Sequence, residues 1–397
     1  MITDSSGALY HAWLASAALP PETVQALLDA YGTPEQVFRA VTEGRIGRRP
    51  KGPERRSSTE GPQETEDEET NATADVRLPA AGLQALRQNA AEERLKKTEE
   101  TLQQHGIRAF TTADPEYPED LLEMPDPPAM LFYQGDLRCL RGRKLAMVGS
   151  RAASYDGQRA AGKIARELSR NGIEIVSGMA DGIDSASHSG CLEGGSPTIA
   201  VTGCGLDRVY PAVNTRLRDR ILENGGLLLS EYAPGERPEG WHFPFRNRII
   251  TGLARGLIVM EAKIRSGTMT SVRHALDQGK DVFVYPGDPA SPNYEGNHQL
   301  LREGAIYFTT AGNILEDLGW LDNPGIIRQN SECSGGATES SSPEEAAVIK
   351  ALTPGKLSFE QIAEKSGLVP AALMSTLTML QIRGKVEALP GKIYRLV

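Results

Sequence analysis

Residues 144–184 hold two short apolar runs on either side of a helical segment, and this stretch constrains the fold more than any other. The first run, 145–148, ends at Gly149, and the second run, 173–176, ends at Ser177. Apolar residues between the two runs recur at helical spacing, with basic residues on the other side. A strand, a helix and a strand of these lengths form a βαβ unit, which predicts parallel strands covered by helices.

The alternation of strands and helices continues to residue 318. Further strands are predicted at 107–111, 198–202, 227–230, 256–261, 281–285 and 306–308. Further helices are predicted at 214–223, 245–253, 297–302 and 311–318, with one more that opens at 266–268 and ends at 278. The proline-rich segments 117–122 and 127–135 are predicted to be extended rather than helical. This pattern predicts an α/β fold, an extended Rossmann-like, doubly wound and mainly parallel sheet, over residues 106–320.

Helical patterns also precede the sheet. Residues 5–42 predict three short helices, and residues 79–105 are helical again. We interpret 1–43, continuing at 76–105, as a small SAM-like or helix-hairpin-helix-like module. The intervening segment 44–75 has a basic block followed by an acidic block and almost no apolar residues. Such a segment cannot bury enough apolar surface to offset its ordering entropy, so a disordered insertion is predicted.

The formal net charge is −9, which taken alone argues against a nucleic-acid partner. Its distribution matters more than its sum. Seven acidic residues and no basic residue lie between Ser58 and Asp75, so this one segment carries most of the excess negative charge. A basic groove elsewhere in the chain is therefore compatible with the composition.

The C-terminal part of the chain predicts a winged helix. Residues 321–343 have the composition of a linker, and residues 344–397 follow it. Three helical patterns, at 343–352, 358–366 and 370–383, come before a hairpin around Pro390-Gly391. The third helix exposes mostly Ala, Ser and Thr, which hold phosphates poorly. Contact with a protein suits this helix at least as well as contact with duplex DNA.

Several classes of protein are disfavoured by what the sequence lacks. No apolar run is long enough to span a membrane, and the N-terminus has no signal-peptide pattern. The four cysteines have no CxxC spacing, which favours a cytoplasmic protein with free thiols over a zinc site. HExxH and GxSxG motifs do not occur either. We therefore predict no catalytic residues, no cofactor and no metal.

Gly149-Ser150-Arg151 follows the first strand of the βαβ unit, where open parallel sheets bind ligands. The loop matches neither a dinucleotide motif nor a nucleoside triphosphate motif. An arginine in this position can bind a phosphate through two parallel hydrogen bonds. The alternative is an ion pair with Asp181 or Asp184, and the loop alone leaves both interpretations open. The two aspartates are predicted to cap the next helix rather than to act in catalysis.

The segment 243–248 opens a predicted helix with Phe-Pro-Phe-Arg-Asn-Arg. Aromatic rings that stack on bases, next to cations that hold phosphates, are typical of single-strand binding. Lys263 adds positive charge to the same rim, just before Ser266-Gly267-Thr268. The alternative places Phe245 in the core and pairs Arg248 with Glu261.

Six separated motifs occur in a fixed order, namely MVGSR, SGMADGIDSASH, TGCGLDRVYP, FPFRNRIITGL, SGTMTSVRHALDQGKDVFVYPG and GNHQLLREGA. On these residues the region 117–320 resembles the DNA processing protein A family (DprA/Smf). The N-terminal helices and the predicted winged helix also fit the layout of that family.

The resemblance implies a protein that binds single-stranded DNA, protects incoming DNA in natural transformation and loads the RecA recombinase onto it. It also implies a homodimer formed through the Rossmann-like domain, without catalytic activity. The DNA-binding residues that it implies are Gly149, Ser150, Arg151, Ser177, Gly178, Phe243, Arg246, Asn247, Arg248, Ser266, Gly267 and Thr268. A lysine that family members often carry is missing near 212–213 or 239–242, and Arg208, Arg216 or Arg237 could replace it.

Two other functions compete with this one. The first is a nucleotide-processing enzyme of the lysine-decarboxylase-like type, whose PGGxGTxxE motif overlaps 266–268. Its glutamate is replaced here by Ser271, which removes the expected acid/base group. The second is a scaffold that binds the recombinase but has little affinity for DNA.

Overall fold

The computed structural model describes residues 5–46, 78–320, 343–352, 356–368, 373–377, 380, 386–389 and 393–396. The chain divides into two compact units, Met1–Gly325 and Ile326–Val397. Most of the predicted insertion 44–75 lies outside the described residues, as does the predicted linker 321–343 apart from Pro343. The domain boundaries at these segments stay predictions.

One sheet of nine strands organises the first unit. In chain order its strands are β1 Arg108–Thr111, β2 Met130–Gly135, β3 Arg143–Val148, β4 Ile173–Ser177, β5 Thr198–Val201, β6 Leu227–Ser230, β7 Gly256–Val259, β8 Asp281–Val284 and β9 Ile306–Tyr307. Across the sheet the order is β1-β2-β6-β5-β4-β3-β7-β8-β9. The pairs β1–β2 and β2–β6 are antiparallel, and every other pair is parallel. This confirms the predicted doubly wound, mainly parallel sheet.

Helices cover both faces of this sheet. In chain order they are α1 Ser5–Ala15, α2 Pro21–Tyr31, α3 Pro34–Thr42, α4 Ala80–Asn89, α5 Glu92–His105, α6 Glu119–Leu122, α7 Tyr155–Arg170, α8 Ile183–Gly194, α9 Thr215–Glu223, α10 His242–Gly252, α11 Gly267–Asp277, α12 Glu295–Arg302 and α13 Ala311–Asp317. The central strand β3 shows the two layers. Leu145 and Met147 pack with α7 and α8, whereas Ala146 and Val148 pack with α10 and α11. Successive side chains of a strand point to opposite faces, so a strand covered on both faces is apolar throughout.

The two proline-rich segments have different outcomes. The segment 127–135 is not helical, as predicted, and β2 within it is a full strand of the sheet, paired with β1 and β6. Pro127 and Pro128 precede it, where their missing N–H groups cost no ladder hydrogen bond. The prediction that Tyr117–Leu122 is not helical was wrong, because α6 lies there. Pro118 occupies the N-cap position of α6, where an N–H group would have no helical partner.

The N-terminal helices share an apolar core with the sheet. Trp13, Leu27 and Leu86 belong to the same buried cluster as Phe132 of β2. The indole Nε1 of Trp13 donates a hydrogen bond of 2.9 Å to the Leu86 carbonyl, which joins α1 to α4 across the predicted insertion. Ile46 is buried in this cluster too, so the packed part of the helical module extends three residues into the segment predicted to be disordered.

The second unit is described by itself. Its elements are α14 Pro343–Leu352, β10 Leu357–Ser358, α15 Phe359–Ser366, helical residues 373–377, β11 Val386–Leu389 and β12 Ile393–Leu396. β11 and β12 form an antiparallel hairpin, and β10 pairs with β12. Val348, Ile362, Leu377 and Tyr394 share a small core. This arrangement matches the predicted winged helix.

No helix among the described residues is long and apolar enough to cross a membrane. Cys139, Cys191 and Cys204 are buried free thiols, while Cys333 lies outside the described part of the chain. Burial raises the pKa of the Cys191 thiol to about 11. A thiol with such a raised pKa is protonated at neutral pH and therefore unreactive.

The strand order reverses at β3 and creates a crevice. β4, β5 and β6 follow on one side of β3, and β7, β8 and β9 on the other. In sheets of this kind, ligands bind outside the carboxyl ends of the strands where the order reverses. The loops after β3 and β7 meet there, since the Ser150 N–H donates a hydrogen bond of 2.7 Å to the Glu261 carbonyl.

Candidate nucleic-acid interface

A groove of about 510 Å³ occupies this crevice. We call it the switch-point groove. Its walls come from the loop after β3, the first turns of α10 and the start of α11. The residues that line it include Gly149, Ser150, Arg151, Asp184, Tyr210, Phe243, Arg246, Asn247, Ser266, Gly267, Thr268 and Ser271. Segments far apart in the sequence, which the motifs placed on one rim, are thus brought together by the fold.

Arg151 is the exposed cation of this groove. Its guanidinium lies over the ring of Phe243, 4.8 Å from the ring centre. Neither Asp181 nor Asp184 lies within ion-pair distance of it, so the alternative of a structural ion pair is wrong. A guanidinium that stacks on an aromatic ring keeps its N–H groups free at the edge. Arg151 can therefore donate to a phosphate while Phe243 holds it in place.

Tyr210 completes an aromatic surface that the sequence interpretation missed. Its ring lies 5.2 Å from that of Phe243 with an interplanar angle of 34°, and 44% of the residue is exposed. It belongs to the loop between β5 and α9, where a tyrosine two positions after Arg208 was the signal that could have predicted it. Exposed apolar surface often marks a binding site, and aromatic rings are the groups on which unstacked bases stack.

Arg246 lies beneath this surface and is only 3% exposed. Its Nη1 donates to the carbonyls of Gly178 and Val201, and its Nε donates to the Asn247 side chain at 3.2 Å. Burial lowers the pKa of Arg246 to about 10, against the opposing effect of Asp184. A Cβ on Gly178 would come within 2.4 Å of the guanidinium, so only glycine leaves room for it. Arg246 thus supplies a fixed positive charge at the floor of the groove.

Asp184 also lines the groove, but it does not cap α8 as predicted. Its carboxylate accepts hydrogen bonds from the N–H groups of Gly178 and Ala180, which lie before the helix begins. Burial raises the pKa of this carboxyl, while Arg246 opposes the shift. Asp184 therefore holds the loop after β4 in shape and balances the buried guanidinium.

Arg248 faces away from the groove. Its guanidinium pairs with Glu231 at 2.7 Å and with Asp126 at 3.2 Å, and it lies over the ring of Phe245 at 4.1 Å. The alternative partner, Glu261, is not involved. Because Arg248 is 3% exposed and paired with carboxylates, the structure gives it a structural position instead of one in the groove wall. The two arginines are two positions apart, which turns them about 200° from each other around the helix, and the linear motif could not show which one faces the groove.

The other predicted residues occupy three kinds of position. Ser266, Gly267 and Thr268 form the start of α11 at the groove wall. Ser177 lies under the wall, fully buried, where its hydroxyl donates to the Met147 carbonyl at 2.7 Å. Lys263 is exposed in the adjoining loop but does not line the groove. Contact of the lining residues with DNA stays a prediction.

Glu261 anchors the two loops that meet at the switch point. Its carboxylate accepts hydrogen bonds from both the N–H and the hydroxyl of Ser154, and the hydroxyl distance is 2.5 Å. A Cβ on Gly157 would approach the carboxylate to 2.3 Å. These contacts fix the start of α7 against the loop after β7, which gives the groove a defined shape.

The groove residues also bear on the competing enzyme class and on the missing lysine. Among the described residues, no cluster of His, Cys, Asp and Glu could hold a metal ion. Ser271 is buried at the position where the competing enzyme class carries its glutamate. Of the cations suggested for the missing lysine, Arg208 pairs with Asp207 at 3.5 Å, whereas Arg216 and Arg237 are exposed. Cations beside exposed rings can hold phosphates and stack bases.

The sequence of this chain matches families and proteins that are already known. The family model described as DNA recombination-mediator protein A matches residues 108–319, and the DprA winged helix domain matches residues 334–392. "DNA processing protein DprA" of Streptococcus pneumoniae is 47% identical over 209 residues, 53% of this chain and 73% of that protein. "Protein Smf" of Escherichia coli K12 is 39% identical over 288 residues, 70% of this chain and 75% of that protein.

The solved structures agree with the sequence matches. The X-ray structure of DNA processing protein A from Streptococcus pneumoniae matches with a TM-score of 0.56 and 43% identity, over 61% of this chain and 82% of that one. The first family model alone spans more than half of the chain. The chain therefore belongs to the DNA processing protein A (DprA/Smf) family.

Proposed function

We propose that this protein binds single-stranded DNA in the switch-point groove, within the predicted domain 106–320. The observation that carries the proposal is the pairing of Arg151 with Phe243 above the buried Arg246. In this arrangement phosphates bind the Arg151 guanidinium, and bases stack on Phe243 and Tyr210. A duplex does not fit this chemistry, because its bases are already stacked and paired.

The biological role that we propose follows from family membership and from this groove. The protein protects incoming single-stranded DNA in natural transformation and loads the RecA recombinase onto it, as a cytoplasmic homodimer formed through the Rossmann-like domain. It acts by binding and not as an enzyme. The buried free thiols Cys139, Cys191 and Cys204 support the cytoplasmic part of this proposal, because such thiols persist in a reducing compartment.

Fluorescence anisotropy tests the groove. The labelled probes are oligo-dT and a duplex of equal length, each titrated over a series of salt concentrations. We expect oligo-dT to bind more tightly, with an affinity that falls steeply as salt rises. Arg151→Ala should weaken this binding and reduce the slope of log K against log salt by about 0.7, the value for one phosphate contact on a single strand.

Arg255→Ala is the matched control, since Arg255 is also exposed but lies at the amino end of β7, away from the groove. It should leave both affinity and slope unchanged. Equal binding by wild type and Arg151→Ala would refute the site. Turnover of nucleoside monophosphates by the wild type would instead support the enzyme alternative.

The recombinase step has its own test. The rate of RecA nucleation on single-stranded DNA is measured with wild type and with Arg151→Ala, together with direct binding of each protein to RecA. We expect the wild type to accelerate RecA nucleation. The variant should keep its affinity for RecA but no longer accelerate nucleation. Full acceleration by a variant that no longer binds DNA would support the scaffold alternative.

A further inference from the structure

The solvent-exposed face of α7 begins where the switch-point groove ends. Tyr155 is the first residue of the helix, four positions after Arg151. At about 100° of rotation per residue, one sector of about 80° contains a single aromatic residue and four cations. These residues, which we call the α7 track, are Tyr155, Arg159, Lys163, Arg166 and Arg170. The buried residues Ala161, Ile164 and Leu168 lie on the opposite side, so the track faces solvent.

The track offers cations that the protein itself does not neutralise strongly. Tyr155 is 78% exposed. Among the described residues, no carboxylate lies within ion-pair distance of Arg159 or Arg170. Lys163 pairs with Glu167 at 3.8 Å while remaining 70% exposed, a kind of ion pair that contributes little and exchanges readily. Of the four cations, only Arg166 is held closely, by Glu193.

A second groove runs beside the track. It has a volume of about 430 Å³ and lies between α7 and α8, with Arg159 and Lys163 on its rim. Gly162 and Gly190 form its floor, where the helices approach so closely that a Cβ on Gly190 would come within 2.2 Å of the Gly162 carbonyl. The glycines allow this close contact of the helices, and the groove above it runs along the rim cations, with Arg166 and its partner Glu193 at one end. Cations one turn apart are about 6 Å from each other along the helix, a spacing similar to that of successive phosphates in an extended strand.

We propose that a single strand bound in the switch-point groove leaves it past Tyr155 and continues along the α7 track. This inference rests on the proposed function and extends it, because it assigns a second binding surface for the same strand. A base stacks on the exposed Tyr155 ring, and the following phosphates bind Arg159 and Lys163. The continuity of the two surfaces and their positive charge identify single-stranded nucleic acid as the ligand. α7 has 16 residues and is therefore about 24 Å long, enough to add several nucleotides to the binding site.

Oligonucleotide length separates the two surfaces. Binding is measured with a short probe of about 5 nucleotides, which fills only the groove, and a long probe of about 16 nucleotides. The double variant Arg159→Ala/Lys163→Ala should bind the short probe like wild type. For the long probe its salt slope should fall by about 1.4, because two phosphate contacts are lost. With a slope lower by about 1.4, the increase in affinity between about 1 M and 0.1 M salt is about 25-fold smaller for the variant than for the wild type.

Two further variants make the test specific. Arg302→Ala removes an exposed cation at the end of α12 on the other face of the sheet and should change neither probe's binding. Tyr155→Ala should weaken binding of the long probe at high salt as well, because stacking does not depend on counterion release.

The outcomes are distinguishable. If Arg151→Ala abolishes binding of both probes while the double variant binds both like wild type, the groove is correct and the track is refuted. A double variant that alters only self-association, measured by sedimentation, would make this face a protein interface and also overturn the track. If neither probe binds the wild-type protein, the proposed function itself fails.

Discussion

Arg246 and Arg248 lie two residues apart in α10, yet they occupy opposite environments. Arg246 lies at the floor of the switch-point groove, where the buried Asp184 carboxylate partly balances its charge, and Arg151 above it has no described carboxylate within ion-pair distance. Arg248 lies on the other side of the helix, over the ring of Phe245, and is paired with Glu231 and Asp126. The comparison teaches that the fold, and not the motif, decides which arginine lines the groove and which is neutralised by carboxylates away from it.

The largest effect is expected for Arg246→Met. This substitution removes the donor to two buried carbonyls and leaves the Asp184 carboxylate buried without its cation. We expect the free energy of unfolding to fall by about 4 kcal/mol, and single-strand affinity to fall as well. Chemical denaturation and anisotropy measure the two effects. Unchanged stability would show that Arg246 is not the structural cation of the groove floor.

Arg248→Met should separate stability from binding. It leaves the buried Glu231 carboxylate without its ion pair, so we expect a loss of about 3 kcal/mol in the free energy of unfolding. Oligo-dT affinity, measured where the variant is fully folded, should stay the same. Adding Glu231→Leu should restore most of the stability, since an apolar pair avoids the desolvation of both charges. A large loss of DNA affinity in Arg248→Met would contradict the difference between the two arginines.

Glu174 is a buried carboxylate, in contrast to the buried arginines, and its effect on stability depends on pH. It is buried, one of its carboxylate oxygens has no described hydrogen-bond partner, and burial raises its pKa to about 8. Because the folded state holds this proton to a higher pH than the unfolded chain does, stability falls as pH rises towards 8 and levels off once the folded group ionises. Glu174→Gln should remove about 2 kcal/mol of the decline in unfolding free energy between pH 6 and 9. Thermal unfolding at several pH values measures this, and parallel curves for the two proteins would refute it.

The smallest effect is expected for Tyr210→Ala. Losing one stacking surface should weaken oligo-dT binding by about 1 kcal/mol, roughly fivefold. Stability should change by less than about 0.5 kcal/mol, because the ring is partly exposed. Tyr307→Ala is the control, an exposed tyrosine on the edge strand β9 that lies outside the groove. Equal losses of affinity in the two variants would show that Tyr210 has no particular role.

Much of the fold could be read from the sequence. Short apolar runs separated by helical patterns predicted all the parallel strands, because a strand buried on both faces is apolar throughout. The sequence predicted that the segment containing β2 is extended, but its prolines left open whether it forms a strand of the sheet. Its place depends on pairing with β6, nearly a hundred residues later.

The candidate site, too, was predicted in part from the sequence. The motifs determined that Arg151, Phe243 and Arg246 would meet, because the carboxyl ends of parallel strands share one edge of the sheet. Only the tertiary structure decided which arginine of α10 faces the groove and that Tyr210 extends its aromatic surface. These choices depend on contacts between segments distant in the sequence. Local patterns set the periodicity of each element, whereas packing sets which side chains remain free to bind.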